Sequence, residues 1–162
     1  MTAGSSRDEI MEAMADDASL IRCPNCGKEN RVRTAARGVP HCGACGATLP
    51  WLTEASEAEF PAVVEQSTVP VLVDFWAPWC GPCRIVSPIV EQIARELPGR
   101  IKLVKVNTDS APNLSRRFGI RGIPTLILFD HGKEAARVTG ALGAPALRNW
   151  VQEHLPKADA TA

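Results

Sequence analysis

The six cysteines of this chain occur as three C-x-x-C pairs in different surroundings. One pair lies in FWAPWCGPCRIVSP, where Gly81 and Pro82 separate Cys80 from Cys83. A valine-rich apolar run precedes this pair and a segment with helical spacing follows it, so Cys80 is predicted to lie where a strand leads into a helix. Because a helix N-terminus carries free N–H groups and a partial positive charge, this position favours the thiolate.

Such a pair is suited to thiol–disulfide exchange. Cys80 attacks a substrate disulfide, and Cys83, predicted to be the less exposed sulfur, then attacks the mixed disulfide and releases the reduced substrate. Pro82 fixes the start of the helix and lacks an N–H that would be unpaired there, and Gly81 leaves the approach to the sulfur open. The alternative is a structural metal knuckle, which the strand-then-helix context disfavours.

Asp74 lies within the apolar run, six residues before the first cysteine of this pair. Its neighbours Val73 and Phe75 predict that the carboxyl is buried, and burial raises the pKa of a carboxyl. An acid with a pKa near neutrality can take the proton from Cys83 in the second step. The alternative is an exposed residue at the end of the strand. Lys105, on the neighbouring predicted strand, is a candidate ion-pair partner for Asp74.

The other two pairs predict a metal site. They have the spacing C-x2-C-x15-C-x2-C and comprise Cys23, Cys26, Cys42 and Cys45. Each pair is followed by a glycine, Gly27 or Gly46, which supplies the positive φ that ends a tight C-x-x-C turn. Two such turns direct four thiolates at one Zn²⁺ and leave no open position, so the predicted ion is structural.

Alternatives to zinc stay open at this point. Iron bound by similar knuckles is the main rival, and the shortage of aromatic residues around the pairs favours zinc. Disulfides are the second alternative. His41, next to Cys42, is a further candidate ligand, although four cysteines already fill the coordination shell. Residues 21–47 contain few large apolar side chains, so this segment needs a metal or cross-links to fold.

Composition limits the classes of partner. Apolar residues make up 45% of the 162 residues and the net charge is zero, which predicts neither a nucleic-acid nor a membrane partner. Residues 1–21 carry five acids and one base, and residues 22–47 carry five bases and one acid. Either the two segments neutralise each other within the chain, or their charges are solvated at the surface. Without an apolar run suited to a secretory signal or a membrane span, we expect a cytoplasmic chain with mostly reduced thiols.

Five segments are predicted along the chain. Residues 1–20 form an acidic tail, mobile or partly helical, and residues 21–47 the four-cysteine module. Residues 48–55 are a linker or a short first strand. Residues 56–157 are the main domain, and residues 158–162 are a C-terminal tail.

The elements of the main domain alternate between helix and strand. Ser56 and Glu59 predict a capping box on a short helix. VPVLVDFWA and IKLVKVN are predicted strands, and residues 122–140 a hairpin that turns at His131–Gly132. Helices are predicted over residues 84–97, with a kink at Pro88, around 113–117 and over 144–155. This order predicts an α/β fold with a mixed sheet and helices on both faces.

Three stretches, VDFWAPWCGPC, FGIRGIPTLILF and GKEAARVTGA, resemble the thioredoxin family over residues 56–155. The resemblance implies the thioredoxin fold and protein-disulfide reductase activity without a directly bound organic cofactor. It implies disulfide-containing protein substrates and recycling by a thioredoxin reductase that uses NADPH and FAD.

The same resemblance implies the substrate-binding residues. Pro124 is expected to follow a cis peptide bond and to face the disulfide, where it also keeps metals from both sulfurs. The Ile123 N–H and C=O then pair with an extended substrate chain. Trp79, Gly140 and Ala141 match positions around the substrate groove, although Trp79 as a packing residue stays open.

With its four upstream cysteines as a small zinc-ribbon-like module, the chain resembles bacterial cytoplasmic thioredoxins that carry an N-terminal zinc-binding extension. Two other hypotheses stay open. The basic module binds a protein or nucleic acid, although bases without interleaved aromatic residues form a poor nucleic-acid surface. Alternatively, oxidation of the four thiolates releases zinc and switches the reductase.

Overall fold

The structure is a computed structural model that describes residues 18–156. The predicted C-terminal tail and residues 1–17 of the predicted acidic tail lie outside the described residues. A strand begins at Ala18, so the predicted end of that tail at residue 20 is too late. This strand belongs structurally to the four-cysteine module.

Two separate sheets contain the strands. The module has an antiparallel hairpin of β1 (Ala18–Arg22) and β2 (Glu29–Arg33). The main sheet contains β3 (Trp51–Glu54), β4 (Val71–Trp76), β5 (Lys102–Asn107), β6 (Thr125–Asp130) and β7 (Lys133–Thr139). Its order is β3-β5-β4-β6-β7; β5 is parallel to β3 and β4, whereas β6 is antiparallel to β4 and β7. The mixed sheet is therefore confirmed, and residues 51–54 form its edge strand rather than a linker.

Helices cover both faces of this sheet. They are a π-helical turn at Pro61–Glu65, α1 (Gly81–Glu96), α2 (Pro112–Arg117) and α3 (Ala144–His154), with a 3₁₀ turn at Thr108–Ser110. The capping box is present: Ser56 N–H donates to Glu59 Oε2 at 3.1 Å, and Glu59 N–H donates to Ser56 Oγ at 3.2 Å. The short helix predicted to follow it is a π-helical turn. Helix α1 continues through Pro88.

Alternation along the central strand β4 separates two apolar cores. Val71, Val73 and Phe75 pack with the π-helical turn and α2 on one face. Leu72 packs with α1 and α3 on the other face. Asp74 also belongs to this second set by alternation, so its carboxyl is directed towards the face that α1 covers.

A third cluster joins the module to the main domain. It contains Ile21, Cys23, Val32 and Cys42 from the module with Leu49, Trp51 and Val69. At its side Lys102 is fully buried, and its Nζ donates to the carbonyls of Thr34 and Val63, the latter at 2.8 Å. The ammonium also lies 4.1 Å from the centre of the Trp51 ring. Burial lowers the pKa of Lys102 to about 8. The module therefore packs on the main domain through an apolar cluster and a buried cation.

Candidate active site and metal centre

Cys80 and Cys83 form a disulfide at the N-terminus of α1, with their Cα atoms 5.3 Å apart. Cys80 is the N-cap residue, and the Cys83 N–H donates to Cys80 Sγ at 3.2 Å. Pro82 lies in the first turn, where a missing N–H leaves no helical hydrogen bond unmade. The strand β4 ends at Trp76, so the pair lies at the predicted strand-to-helix junction. When the disulfide is reduced, this N–H stabilises a thiolate on Cys80.

Both cysteines are more enclosed than the sequence predicted. Cys80 is 3% exposed and Cys83 is 1% exposed, so the predicted order holds but the difference is small. Ala77 and the half-buried Trp76 and Ile123 pack around the pair. The resemblance predicted the Ile123–Pro124 segment beside the pair, but not how completely the cysteines are covered. Ile123 therefore forms part of the rim around the disulfide.

That rim has the expected backbone geometry. The Ile123–Pro124 peptide bond is cis, and Ile123 O lies 3.7 Å from Cys80 Sγ. Within residues 18–156 the Ile123 N–H has no hydrogen-bond partner. The Pro124 carbonyl accepts from the Gly140 N–H at 2.9 Å. A donor and an acceptor on Ile123 are thus available beside the disulfide for an extended chain.

The remaining predicted groove residues surround this rim. Trp79 is 70% exposed, which argues against a packing role, and its Nε1 donates to Asp109 Oδ1 at 3.0 Å. Ala141 is exposed. Gly140 has a φ of 103°, which favours glycine, and no atom lies within 4 Å of the position that a Cβ would take. Sequence reasoning missed Asp109, because it is 30 residues from Trp79 and belongs to no motif.

Asp74 is fully buried on β4, and burial raises the pKa of its carboxyl to about 6. Ser87 Oγ donates to Asp74 Oδ2 at 2.9 Å, which offsets part of this rise. Asp74 Oδ1 is buried and has no hydrogen-bond partner in the described chain. Sequence reasoning missed Ser87, although its position four residues after Cys83 places both on one face of α1.

The predicted ion pair between Lys105 and Asp74 is wrong. Lys105 is the direct neighbour of Asp74 in the β4–β5 register, but its Nζ lies 3.3 Å from Glu91 Oε1 on α1. Its ammonium also lies 5.0 Å from the centre of the Trp76 ring, so Trp76 lines the site. Lys105 lowers the pKa of Asp74 only through its charge, because a closer carboxylate on α1 takes its hydrogen bond.

A cleft of about 420 Å³ opens beside these groups. Cys83, Ser87, Glu91, Lys105 and Trp76 line it together with neighbouring prolines. Cys80 does not line this cleft. Cys83 therefore lines the same cleft as Ser87, whose hydroxyl is hydrogen-bonded to the buried Asp74.

The four N-terminal cysteines converge at the other end of the module. Their sulfurs all lie within 4.8 Å of one another, and the Cys23–Cys45 and Cys26–Cys42 sulfur distances are both 3.6 Å. A tetrahedral Zn²⁺ with bonds of about 2.3 Å requires sulfurs about 3.8 Å apart, so the four sulfurs fit this ion. His41 forms an isolated backbone bridge with Thr48 and is not one of the clustered ligands in the described chain.

Backbone turns produce this convergence. The N–H groups of Gly27 and Gly46 donate to the carbonyls of Cys23 and Cys42, both at 2.9 Å. These glycines have φ of 78° and 77°. The first sulfur of each pair is buried and the second is exposed.

Polar groups around the cluster favour the thiolate at Cys42 and Cys45, whereas the pKa of Cys26 is raised to about 11 beside the neighbouring sulfurs. The Ala44 N–H donates to Cys42 Sγ at 3.4 Å, and Asn30 Nδ2 donates to the same sulfur at 3.5 Å. Backbone hydrogen bonds from Cys45 and then Ala44 lower the pKa of Cys42 to about 6. Asn25 Nδ2 donates to Cys45 Sγ at 3.5 Å and lowers the pKa of that thiol. This donor set suits a divalent ion that prefers sulfur.

Comparison with known proteins identifies the family. The family model for thioredoxin matches residues 52–153. Thioredoxin 1 of Synechococcus elongatus is 48% identical over 100 residues, which cover 62% of this chain and 94% of that protein. Thioredoxin M4, chloroplastic, of Arabidopsis thaliana is 40% identical over 138 residues, covering 84% of this chain and 72% of that protein. Thioredoxin C-3 of Corynebacterium nephridii is 39% identical over 139 residues, covering 84% of this chain and 95% of that protein.

These matches agree with the observed architecture, a mixed sheet with a C-x-x-C pair at the start of α1. None of the helices in residues 18–156 combines the length and the apolar character needed to cross a membrane. The chain has the thioredoxin fold and belongs to the thioredoxin family, whose members are thiol–disulfide oxidoreductases.

Proposed function

We propose that this chain is a protein-disulfide reductase that uses Cys80 and Cys83 as its dithiol. The observation that carries the proposal is the placement of Cys80 at the N-cap of α1, with the Ile123–Pro124 segment beside it. The first feature favours a thiolate on Cys80, and the second offers backbone hydrogen bonds to a polypeptide. Trp79, Gly140 and Ala141 extend this surface as substrate-contacting residues.

The exchange proceeds in two steps. The Cys80 thiolate attacks one sulfur of the substrate disulfide, and the other substrate sulfur leaves as a thiolate. The Cys83 thiolate then attacks Cys80 Sγ, and the second substrate sulfur leaves. The chain finishes with the Cys80–Cys83 disulfide and the substrate with two thiols, so two electrons pass to the substrate. Gly81 and Pro82 shape the start of α1 between the two sulfurs.

Asp74 supplies the base for the second step. Its carboxylate takes the proton from the Cys83 thiol, and a neutral carboxyl remains after the thiolate has attacked. Burial supports this role, because a pKa of about 6 makes the group ionised at neutral pH yet a stronger base than an exposed carboxylate. Cys83 and the Asp74-bound Ser87 lie on one face of α1.

For the upstream cysteines, we infer one structural Zn²⁺ in a zinc-ribbon-like module, held by Cys23, Cys26, Cys42 and Cys45. The ion would cross-link two C-x-x-C turns of a segment with little core of its own. With four protein ligands no position is open for a substrate. The sulfur geometry and the N–H donors around Cys42 support zinc as a resident ion.

We assign the chain to the thioredoxin 2 type, which carries such an N-terminal extension. The support for this is the cluster of four sulfurs, which lies upstream of residue 52, where the match to the family model begins. We propose a cytoplasmic location and reduction by a thioredoxin reductase that uses NADPH and FAD. Nucleic acid and membranes are not proposed as partners.

Turnover of insulin disulfides in the presence of dithiothreitol tests the reductase proposal. Cys80→Ser is expected to reduce the rate to the uncatalysed background, since only Cys80 begins the exchange. Lys133→Ala is the control, because Lys133 is exposed and lies at the end of the β6–β7 hairpin opposite to Pro124. Wild-type turnover in Cys80→Ser would contradict the proposal.

A redox response of the metal is a second proposal for the module. Cys26 and Cys45 are exposed, so an oxidant reaches these two sulfurs before the buried pair. Oxidation to disulfides would remove ligands from the ion and release it. Hydrogen peroxide titration with a chromogenic zinc chelator tests this, alongside insulin turnover in the same samples. Zinc release with unchanged turnover would show that the ion does not regulate the reductase.

A further inference from the structure

We propose that Ser87 is a positioning residue for the proton transfer between Cys83 and Asp74: its hydroxyl holds Oδ2 and leaves Oδ1 as the proton-accepting atom. The inference rests on the proposed reductase function, in which Asp74 is the base. It assigns a role to a side chain outside the C-G-P-C motif. The observations that carry it are the hydrogen bond at 2.9 Å and the unpartnered Oδ1 atom.

The two oxygens of Asp74 have different surroundings. Oδ2 accepts the Ser87 hydroxyl, whereas Oδ1 is buried and accepts nothing within the described residues. A buried carboxylate oxygen without a donor is costly, so a proton is bound there more favourably than at Oδ2. The Ser87 hydroxyl thus makes the two oxygens chemically distinct and fixes the rotation of the carboxyl.

Three elements pack against Asp74, and two of them carry a charged side chain that affects its pKa. Helix α1 contributes Glu91, which raises the pKa of Asp74, and strand β5 contributes Lys105, which lowers it. These two side chains pair with each other at 3.3 Å, and the effect of Lys105 on the pKa of Asp74 is the larger of the two. Strand β6 places the apolar Leu126 opposite Asp74. Ser87 is therefore the group that donates directly to the carboxylate.

The position of Ser87 on α1 links the two reacting groups. Cys83 and Ser87 are four residues apart in a continuous helix, so both side chains project from one face. Both also line the cleft of about 420 Å³ beside the disulfide. A serine at this position brings a donor to the buried acid without placing another charge near the dithiol.

Loss of the hydroxyl has a defined consequence. A hydrogen bond to the ionised form favours ionisation, so Ser87→Ala is expected to raise the pKa of Asp74 by about one unit. The neutral carboxyl then persists to higher pH. The ionised fraction of Asp74, and with it the rate of mixed-disulfide resolution, is expected to fall about fivefold at pH 6 and about twofold at pH 7. Ser87→Thr keeps the hydroxyl and is expected to restore the wild-type profile.

The experiment is a titration of the Asp74 carboxyl by NMR in protein labelled with ¹³C at aspartate, from pH 4 to pH 9, in the reduced state. Asp74→Asn identifies the resonance. Ser115→Ala is the matched control, because the Ser115 hydroxyl donates at 3.0 Å to the backbone carbonyl of Ala111 and does not contact the acid. The expected result is a higher midpoint in Ser87→Ala alone.

A midpoint in Ser87→Ala equal to that of the wild type would overturn the proposal. So would a rise that Ser87→Thr shares, since the effect would then come from altered packing. Because the titration measures a carboxyl and not turnover, it distinguishes this proposal from the reductase proposal. Failure of insulin turnover in the wild type, with the titration shift intact, would reject the reductase function and keep the hydrogen bond's role at Asp74.

Discussion

The same C-x-x-C spacing occurs in two environments of this chain, and the backbone after the second cysteine differs between them. In the module, Gly27 and Gly46 have positive φ and turn the chain back towards the first cysteine of each pair. After Cys83 the chain instead continues as α1 for more than three turns. The turns bring four sulfurs from two pairs together, whereas the helix leaves one pair alone at its N-terminus.

The difference teaches that the spacing alone does not define the chemistry of a cysteine pair. A turn directs both sulfurs to one point, where a second pair completes a tetrahedral set. At the start of a helix, the partial positive charge of the N-terminus favours the thiolate of the first cysteine. The second cysteine lies one turn later, close enough for its sulfur to bond to the first. Glycine after the pair in one case, and proline inside the pair in the other, distinguish the two outcomes.

The largest expected effects come from single cysteine substitutions, one in the Cys80–Cys83 pair and one among the four module cysteines. Cys83→Ser removes the resolving thiol, so insulin turnover falls at least about 10³-fold and a mixed disulfide accumulates at Cys80. Cys42→Ser removes a buried sulfur of the proposed zinc site, and the apparent Zn²⁺ affinity is expected to fall by roughly 10³-fold or more. Turnover and competition with a chromogenic chelator measure the two quantities in both variants. If Cys42→Ser lost turnover as completely as Cys83→Ser, the two groups would not be functionally separate.

Lys102 tests how the module is attached to the main domain. Lys102→Ala removes the ammonium that donates to the carbonyls of Thr34 and Val63 and opens a cavity against Trp51. The free energy of unfolding is expected to fall by roughly 2–5 kcal/mol, measured by urea denaturation of the metal-loaded chain. The exposed Lys133 on β7 is the control, and Lys133→Ala is expected to change stability by less than about 0.5 kcal/mol. Equal effects of both substitutions would contradict the buried contact.

Asp74 is expected to reduce stability at neutral pH. Its pKa rises from 3.8 to about 6 on folding, so the folded state binds the proton more tightly and stability falls as pH rises from about 4 to about 6. Asp74→Asn is therefore expected to stabilise the protein by roughly 2–3 kcal/mol at pH 7 and by less than about 1 kcal/mol at pH 4. Urea denaturation at both pH values measures this. A gain that does not depend on pH would show that ionisation is not its cause.

The smallest effect concerns a contact far from both groups of sulfurs. Arg148 on α3 donates two hydrogen bonds to Glu96 on α1, at 2.9 and 3.0 Å. Both side chains are 39% exposed, so Arg148→Ala is expected to cost at most about 1 kcal/mol, and less at high salt. Zinc content and turnover are expected to stay unchanged. A loss above about 2 kcal/mol would show a larger role for this pair in packing α3.

Patterns local in sequence predicted much of this structure. The apolar run that contains Asp74 predicted a central strand, and the residues around Cys80 predicted the strand-to-helix junction. The capping box at Ser56 also formed as predicted, although the turn after it is π-helical. These features depend on neighbours within a few residues, which a sequence shows directly.

Contacts between distant elements were less predictable. Lys105 was expected to pair with Asp74, but Glu91 on a packed helix competes for it at 3.3 Å. The near-complete enclosure of Cys80 depends partly on Ile123, more than forty residues away. Periodicity predicts the face on which a side chain lies, but it does not predict which of several nearby groups that side chain will contact.

The central claim is that one pair of cysteines exchanges electrons while the other four hold an ion. Metal analysis of the purified chain, combined with mass-spectrometric mapping of thiols after mild oxidation, tests it most directly. The predicted result is one zinc per chain, a disulfide between Cys80 and Cys83, and four thiols that become reactive only after chelation. A metal-free chain whose N-terminal cysteines form disulfides, or an ion bound by Cys80 and Cys83, would contradict the account.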